Sequence, residues 1–475
     1  MNRTVPFHPD YRDSGLTAST SSTRKDEIDY PPATPYQKSL QRGLITLLVL
    51  LMLEGILRKT FHFLSLPIFF AKDFLIFYLG IKAFLGHLPK EGMKFIYIQI
   101  ALIILLIPCI LNTLLLDPVL GAFGIKQYCL FPFVAVAVCG AYLPDQKEAL
   151  LKLLRFLALS ILVTTAVAVA QNRLPPGHWL NVNPDGQSLE GFSAGGYLRV
   201  TSTFPFVSQY CIYLNAMPVA IASFYFLRNK LRKRFAISIS SCIVLCYVIG
   251  VFITGSRSSV FGAAGITAAA LVMMTLGSGI SRVWRLLLIL GFCFAGYHIT
   301  KVALPEAFGA YEARSQGTAT ESHFIEVENR VVDDLTHWMA KVKYTSFLGN
   351  GLGIQSNGSE KMSSYAAAQK NRWGWMESDS QTALFEGGVY LISTWYPFRI
   401  LMIIYMAFCV LSIKDPDLAT VAAFGWGFVL FTGIIGTLST QPPIAIWWWF
   451  YMGIIVCFRE YDHKSHPPSA TRSWL

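Results

Sequence analysis

The chain has 475 residues, of which 53% are hydrophobic and 14% charged, against roughly 25% charged in an average soluble domain. So few charges cannot cover a water-soluble surface of this size, which excludes a soluble globular enzyme. The formal net charge of +11 is not a nucleic-acid footprint, because no polar domain carries a basic patch with interleaved aromatics.

Residues 1–37 are rich in Ser, Thr, Pro and charge, so segment 1–38 reads as a disordered cytoplasmic tail and not as a signal peptide. Apolar blocks of about 20 residues follow, the length that crosses a hydrocarbon core of about 30 Å. Spans are expected near 44–57, 66–85, 95–115, 127–142 and 153–170. After a polar stretch come 206–227, 237–254, 260–276 and 286–303, and after a longer one 384–410, 419–437 and 444–458. The expected fold is all-α: a polytopic membrane protein of about 12 transmembrane helices. Its membrane domain occupies 39–458, and a second cytoplasmic tail 459–475.

Lys and Arg set the orientation, since short cationic loops stay in the cytoplasm. Arg228, Lys230, Arg232, Lys233 and Arg234 lie between adjacent spans, which makes that loop cytoplasmic. Alternation then places Lys82, Lys90 and Lys94 inside, with Lys147, Lys152, Arg155, Arg282, Arg285 and both termini. Arg58 and Lys59 fall on the outer side, against the trend. Two polar segments, 171–205 and 304–379, also face outward. Long loops in a compact membrane protein are usually functional or disordered, and the aromatics of these argue for order. In the second, Phe324, Val327, Val331, Leu335, Trp338 and Val342 recur at helical spacing, giving one apolar face. The opposite face carries His323, Glu326, Arg330, Asp334, His337 and Lys341. It is either a solvated face laced with ion pairs or a surface that turns Arg330 or a histidine into a substrate cavity.

Cations at the membrane edge are the sharper signal. Arg257 lies in Thr254-Gly255-Ser256-Arg257-Ser258-Ser259, a turn of small residues between two spans, and Arg199 precedes Val200-Thr201-Ser202-Thr203-Phe204-Pro205. An arginine there either snorkels to headgroups or meets an anion. Its planar fork suits bidentate phosphate, so two on one face suggest a diphosphate ligand. Two carboxylates, Glu377 and Glu386, flank the return of the second outer segment into the membrane. Nine positions apart, they face opposite sides of a continuous helix, about 2.5 turns, and share a site only if the backbone breaks. Glu386, the deeper, is a functional candidate or the partner of an internal arginine. The nine cysteines are scattered without metal-ligand spacing and read as packing residues. There is no P-loop, dinucleotide fingerprint or HExxH pair, so no metal and no cofactor is expected.

Together these features resemble the O-antigen polymerase and O-antigen ligase superfamily, bacterial inner-membrane enzymes with a glycosyltransferase C-like architecture. The resemblance covers 44–458 and rests on the topology and four local matches. Arg199 to Pro205 resembles the family's arginine before a Thr-Phe-x-Pro-like start of a span, and Gly255-Ser256-Arg257 its Gly-Ser-Arg turn. Gly349-Asn350-Gly351-Leu352-Gly353 is similar to its glycine-rich loop, and Glu386-Gly387-Gly388 to its Glu-x-Gly return. Glu54-Gly55-Ile56-Leu57-Arg58-Lys59 and Lys72-Asp73 look like an uncharacterised subgroup. Where ligases and many relatives carry a histidine, this chain reads Glu377-Ser378-Asp379, which favours a polymerase, or a transferase with Glu377 in the histidine's place. The resemblance implies metal-independent glycosyl transfer from undecaprenyl-diphosphate-linked oligosaccharide to an acceptor hydroxyl. Arg199, Arg257 and Arg330 would bind the diphosphate, and Glu377 or Glu386 would take the proton. A flippase and a chain-length regulator are implied partners. Alternatives are a ligase delivering glycan to lipid A core or protein, and a small-solute transporter. The chain has no internal repeat of the kind many transporters show.

Overall fold

In the computed structural model, the described residues are 32–186, 189, 198–227, 233–278, 345–376 and 378–465, with isolated positions 291, 294, 297, 298, 301, 302, 336, 339 and 342. Among them every regular element is a helix. The helices are α1 (Pro35–Thr60), α2 (Ser65–Leu85), α3 (Lys90–Leu116), α4 (Pro118–Ile125), α5 (Pro132–Tyr142), α6 (Lys147–Arg173), α7 (Val207–Phe226), α8 (Lys233–Ile253), α9 (Arg257–Ser278), α10 (Ser364–Trp373), α11 (Asp379–Leu411), α12 (Pro416–Ile435) and α13 (Pro442–Ser465). Among the described residues, eight helices are long and apolar enough to cross a membrane, or nine if the α4–α5 pair, bent by 41°, is one span. These helices suit a membrane-embedded protein.

Local chemistry sets the helix starts. Thr34 and Gln37 form a reciprocal capping box ahead of Pro35, satisfying donors that the first helical turn leaves unpaired. Asp117 and Asp415 cap α4 and α12 by accepting N–H groups of their first turns. Several boundaries differ from the sequence expectation: α1 begins at Pro35, inside the segment expected as a disordered tail. The 127–142 span begins earlier, at Pro118, and passes through a π-helical turn at Lys126–Leu130. The segment expected as a C-terminal tail is helical through Ser465, and Asp462 is buried, accepting the N–H groups of Lys414 and Asp415 at 2.8 Å each. Residues 1–31 and 466–475, and most of the expected 286–303 span, lie outside the described residues.

Hydrogen bonds between helix ends define two ends of the bundle. At one, Tyr461 donates to the Tyr142 carbonyl, Lys464 pairs with Asp145, and Gln37 donates to the Leu143 carbonyl. At the other, the loop end, Ile56 N–H donates to the Thr203 carbonyl at 3.2 Å and Lys361 pairs with Asp185 at 3.1 Å. That last contact joins the two segments that the sequence marks as interruptions.

The main departure is in α11, expected as one span over 384–410. Gly388 stands at φ 65°, ψ −161° within it, a backbone region open essentially to glycine alone. Asp379 and Arg399 nevertheless form an ion pair. An unbroken helix would separate residues 20 positions apart by about 30 Å, far beyond the reach of the two side chains. The two turns before Gly388 therefore fold back beside the helix that follows. The glycine-rich loop fits the break: Asn350 N–H and Gly351 N–H donate to the Phe385 and Glu386 carbonyls at 2.9 Å each, and Tyr390 N–H to the Phe347 carbonyl at 3.2 Å. A Cβ on Gly388 would stand 2.2 Å from the Phe347 oxygen.

Gly388→Ala should therefore cost at least about 1–3 kcal/mol and lower the melting temperature of detergent-solubilised protein. Gly177→Ala, where an added Cβ meets nothing within 4 Å, should leave it unchanged.

Candidate functional site

At the loop end the 198–205 segment is held from below. Gln171 accepts the N–H groups of Thr201 and Ser202 on Oε1 at 3.0 and 2.8 Å, and donates from Nε2 to the Leu180 carbonyl at 2.7 Å. Lys59, buried at the end of α1, donates to the same carbonyl at 2.8 Å and to Thr201 Oγ1 at 3.1 Å. Ser202 takes a positive φ of 53°, a conformation uncommon outside glycine and asparagine. This clamp fixes the chain just past Arg199, which is half-buried.

The 254–259 turn is built equally closely. The Thr254 and Ser259 hydroxyls share a hydrogen bond of 2.8 Å, Ser256 N–H donates to Thr254 Oγ1 at 3.1 Å, and Gly255 supplies a φ of 57°. Arg257 opens α9 and is half-buried, so the positive end of that helix dipole adds to its charge. The Cys211 thiol lies within hydrogen-bond reach of Ser256 and electrostatic reach of Arg199. The two arginine segments are thus neighbours.

Beside them sits a second set of charges. Glu54 pairs with Lys72 at 3.1 Å and Arg58 at 3.3 Å, and Lys126 pairs with Asp73 at 2.7 Å. Glu54 and Lys72 are each 1% exposed. The Glu54–Lys59 and Lys72–Asp73 motifs are therefore one cluster. A Cβ on Gly55 would stand 2.1 Å from the Phe204 carbonyl carbon, so this glycine lets α1 meet the Arg199 segment backbone to backbone.

Glu386 is fully buried. Tyr128, from the π-helical turn, donates its hydroxyl to Oε2 at 2.9 Å, and Gln355 donates its N–H to Oε1 at 2.7 Å. Both carboxylate oxygens are occupied by donors from distant segments, so Glu386 fastens the glycine-rich loop to the break in α11. The sequence offered it as a proton acceptor; its surroundings are those of an anchor. The sequence also allowed an unspecified internal arginine as its partner; Arg399, 0% exposed, binds Asp379 and donates to the Gly433 and Gly436 carbonyls at 2.8 and 3.1 Å. Asp379 Oδ1 accepts the Ser439 N–H at 2.9 Å. Nearer the surface, Ser363 donates to Asp117 at 2.5 Å, and this hydrogen bond holds the Asp117 carboxyl below the usual aspartate range.

Of the sequence-predicted site residues, Arg199, Arg257 and Glu386 stand at the loop end. Glu377 and Arg330 lie outside the described residues. Sequence reasoning missed Tyr128, Gln355, Asp379 and Arg399. A polar residue inside an apolar block was the available signal for the last two. The eight cysteines described are all unpaired thiols.

No known protein family, no curated protein and no solved structure matches this chain.

Breaking one half of the Asp379–Arg399 pair leaves a buried charge uncompensated. Asp379→Leu or Arg399→Met alone should cost about 3–5 kcal/mol, and the double variant should recover most of it. Thermal unfolding of the purified protein in detergent reads all three; additive losses would contradict a direct pair.

Proposed function

We propose that the protein is a polysaccharide polymerase. It transfers a growing glycan from a lipid diphosphate carrier to an acceptor hydroxyl, with the loop end facing away from the cytoplasm. The observation that carries the reading is that Arg199 and the 254–258 turn, which carries Arg257, both meet Cys211 at one end of a bundle of apolar helices. A diphosphate headgroup lies at the level of a helix end, carries several negative charges, and needs fixed cationic donors around it. The Lys and Arg of the opposite end, including Lys90, Lys94, Lys147, Lys152 and Lys464, favour that end as cytoplasmic.

In this reading the acceptor oxygen attacks the anomeric carbon as the bond from that carbon to the diphosphate oxygen breaks. Arg199 and Arg257 stabilise the charge that develops on the departing diphosphate, usually the largest single contribution to such a step. The hydroxyl proton passes to a carboxylate. Glu386 is committed to Tyr128 and Gln355, so that role falls to Glu377, and Glu386 positions the loop. Arg58 and Lys59 no longer count against the orientation, because both are neutralised or bonded within the fold.

Arg257→Ala should abolish polymer in cells while the amount of protein in the membrane stays the same. Gel analysis of surface glycan separates the alternatives in a deletion strain. Single repeat units on the acceptor mark a lost polymerase, and lipid-linked polymer a lost ligase. An unchanged pattern favours a small-solute transporter.

A further inference from the structure

Between the glycine-rich loop and the break in α11, the chain holds two tryptophans with no part in the steps above. Trp373 is 51% exposed and Trp375 49% exposed, on a segment otherwise rich in polar residues. Gly374 between them takes φ 77° with nothing within 4 Å of an added Cβ, so the turn is set by its backbone and not by crowding.

The turn is nonetheless fixed. The buried Gln355 side chain spans it, donating to the Gly374 carbonyl at 3.1 Å and accepting the Met376 N–H at 3.3 Å. The backbone N–H of the same Gln355 is the one that Glu386 holds. Each indole also has a cation beside it. The Lys370 ammonium is 5.4 Å from the Trp375 ring centre and donates to the Ser356 carbonyl at 2.9 Å. The Arg372 guanidinium is 5.3 Å from the Trp373 ring centre, and that ring meets Phe385 edge-on at 6.2 Å.

We propose that the Trp373-Gly374-Trp375 turn is a stacking platform for a sugar ring of the oligosaccharide that the enzyme elongates. The assignment rests on the polymerase reading. The C–H face of a pyranose carries slight positive charge and fits the negative face of an indole. Exposed Asn371 and Arg372 beside the rings supply donors for ring hydroxyls. Aromatics already held by a buried clamp lose little freedom on binding, which favours recognition of a flexible glycan. Tryptophan also anchors helices at the lipid headgroup level. Such an anchor gains from the indole reaching into lipid and has no need of a buried amide gripping its backbone.

The test uses the full chain in cells lacking the native gene. Trp373→Ala with Trp375→Ala is compared with the two Trp→Phe changes and with Arg257→Ala. Polymer per protein molecule in the membrane should fall about tenfold or more in the double alanine variant, the scale of lost aromatic stacking, and be largely kept by phenylalanine. Protein reconstituted in nanodiscs should lose affinity to a similar degree for oligosaccharide cleaved from the host's own surface polysaccharide. Normal polymer per molecule in the double alanine variant, with Arg257→Ala still inactive, overturns the platform and leaves the polymerase standing. Loss of protein from the membrane with normal output per remaining molecule indicates lipid anchoring and also overturns it. Normal polymer in Arg257→Ala overturns the polymerase reading and the platform with it.

Discussion

Burying a charge in an apolar bundle is unfavourable unless partners replace the lost water, and the loop end of this protein is organised by that constraint. Glu54 is met by Lys72 and Arg58, Asp73 by Lys126, and Asp379 by Arg399 and Ser439. Glu386 is met by Tyr128 and Gln355, and Lys59 by a carbonyl and a hydroxyl from segments more than a hundred positions away. Apart from Arg58–Glu54, each of these contacts joins two different segments of the chain or the two arms of the broken α11. Satisfying the charges and assembling the end are therefore the same event.

Glycine supplies the other half of the specificity. Helices surrounded by lipid gain little by burying apolar surface against one another, so close backbone approach and interhelical hydrogen bonds take over that role. Gly427 lets α12 come so near α9 that an added Cβ would stand 2.6 Å from the Ile266 carbonyl oxygen. Gly55 does the same for α1 and the Arg199 segment. At Gly349 and Gly388 the glycine-rich loop and the broken helix meet at distances that exclude side chains.

The helices were legible in the sequence because span length is a local property of composition: a run of apolar residues is readable without knowing its neighbours. Arg199, Arg257 and Glu386 were legible for a related reason, since a charge stands out against apolar surroundings. What could not be read was pairing. Tyr128 and Glu386 are 258 positions apart, and nothing near either one names the other. The fold-back of α11 was hidden by an assumption of continuity, although Gly387-Gly388 inside an apolar block is a local sign of a break. Arg58 and Lys59 ran against the charge-based orientation because that rule weighs exposed loop charges, whereas these two are bonded within the fold.

Pairing also changes what a buried carboxylate can be. Seen in the sequence, Glu386 is an ionisable group at depth and so a candidate for chemistry. Seen with its donors, it is a fixed point from which order spreads outward: through Gln355 N–H to the glycine-rich loop, and through the Gln355 side chain to the turn at Gly374. A base must change protonation state with each turnover, and a group holding a loop and a helix break in register would loosen both whenever it did so. The two roles conflict at one residue. At Glu386 the geometry answers to the holding role: the residue is fully buried, and both carboxylate oxygens are engaged by donors that belong to the loop and to a separate helical turn.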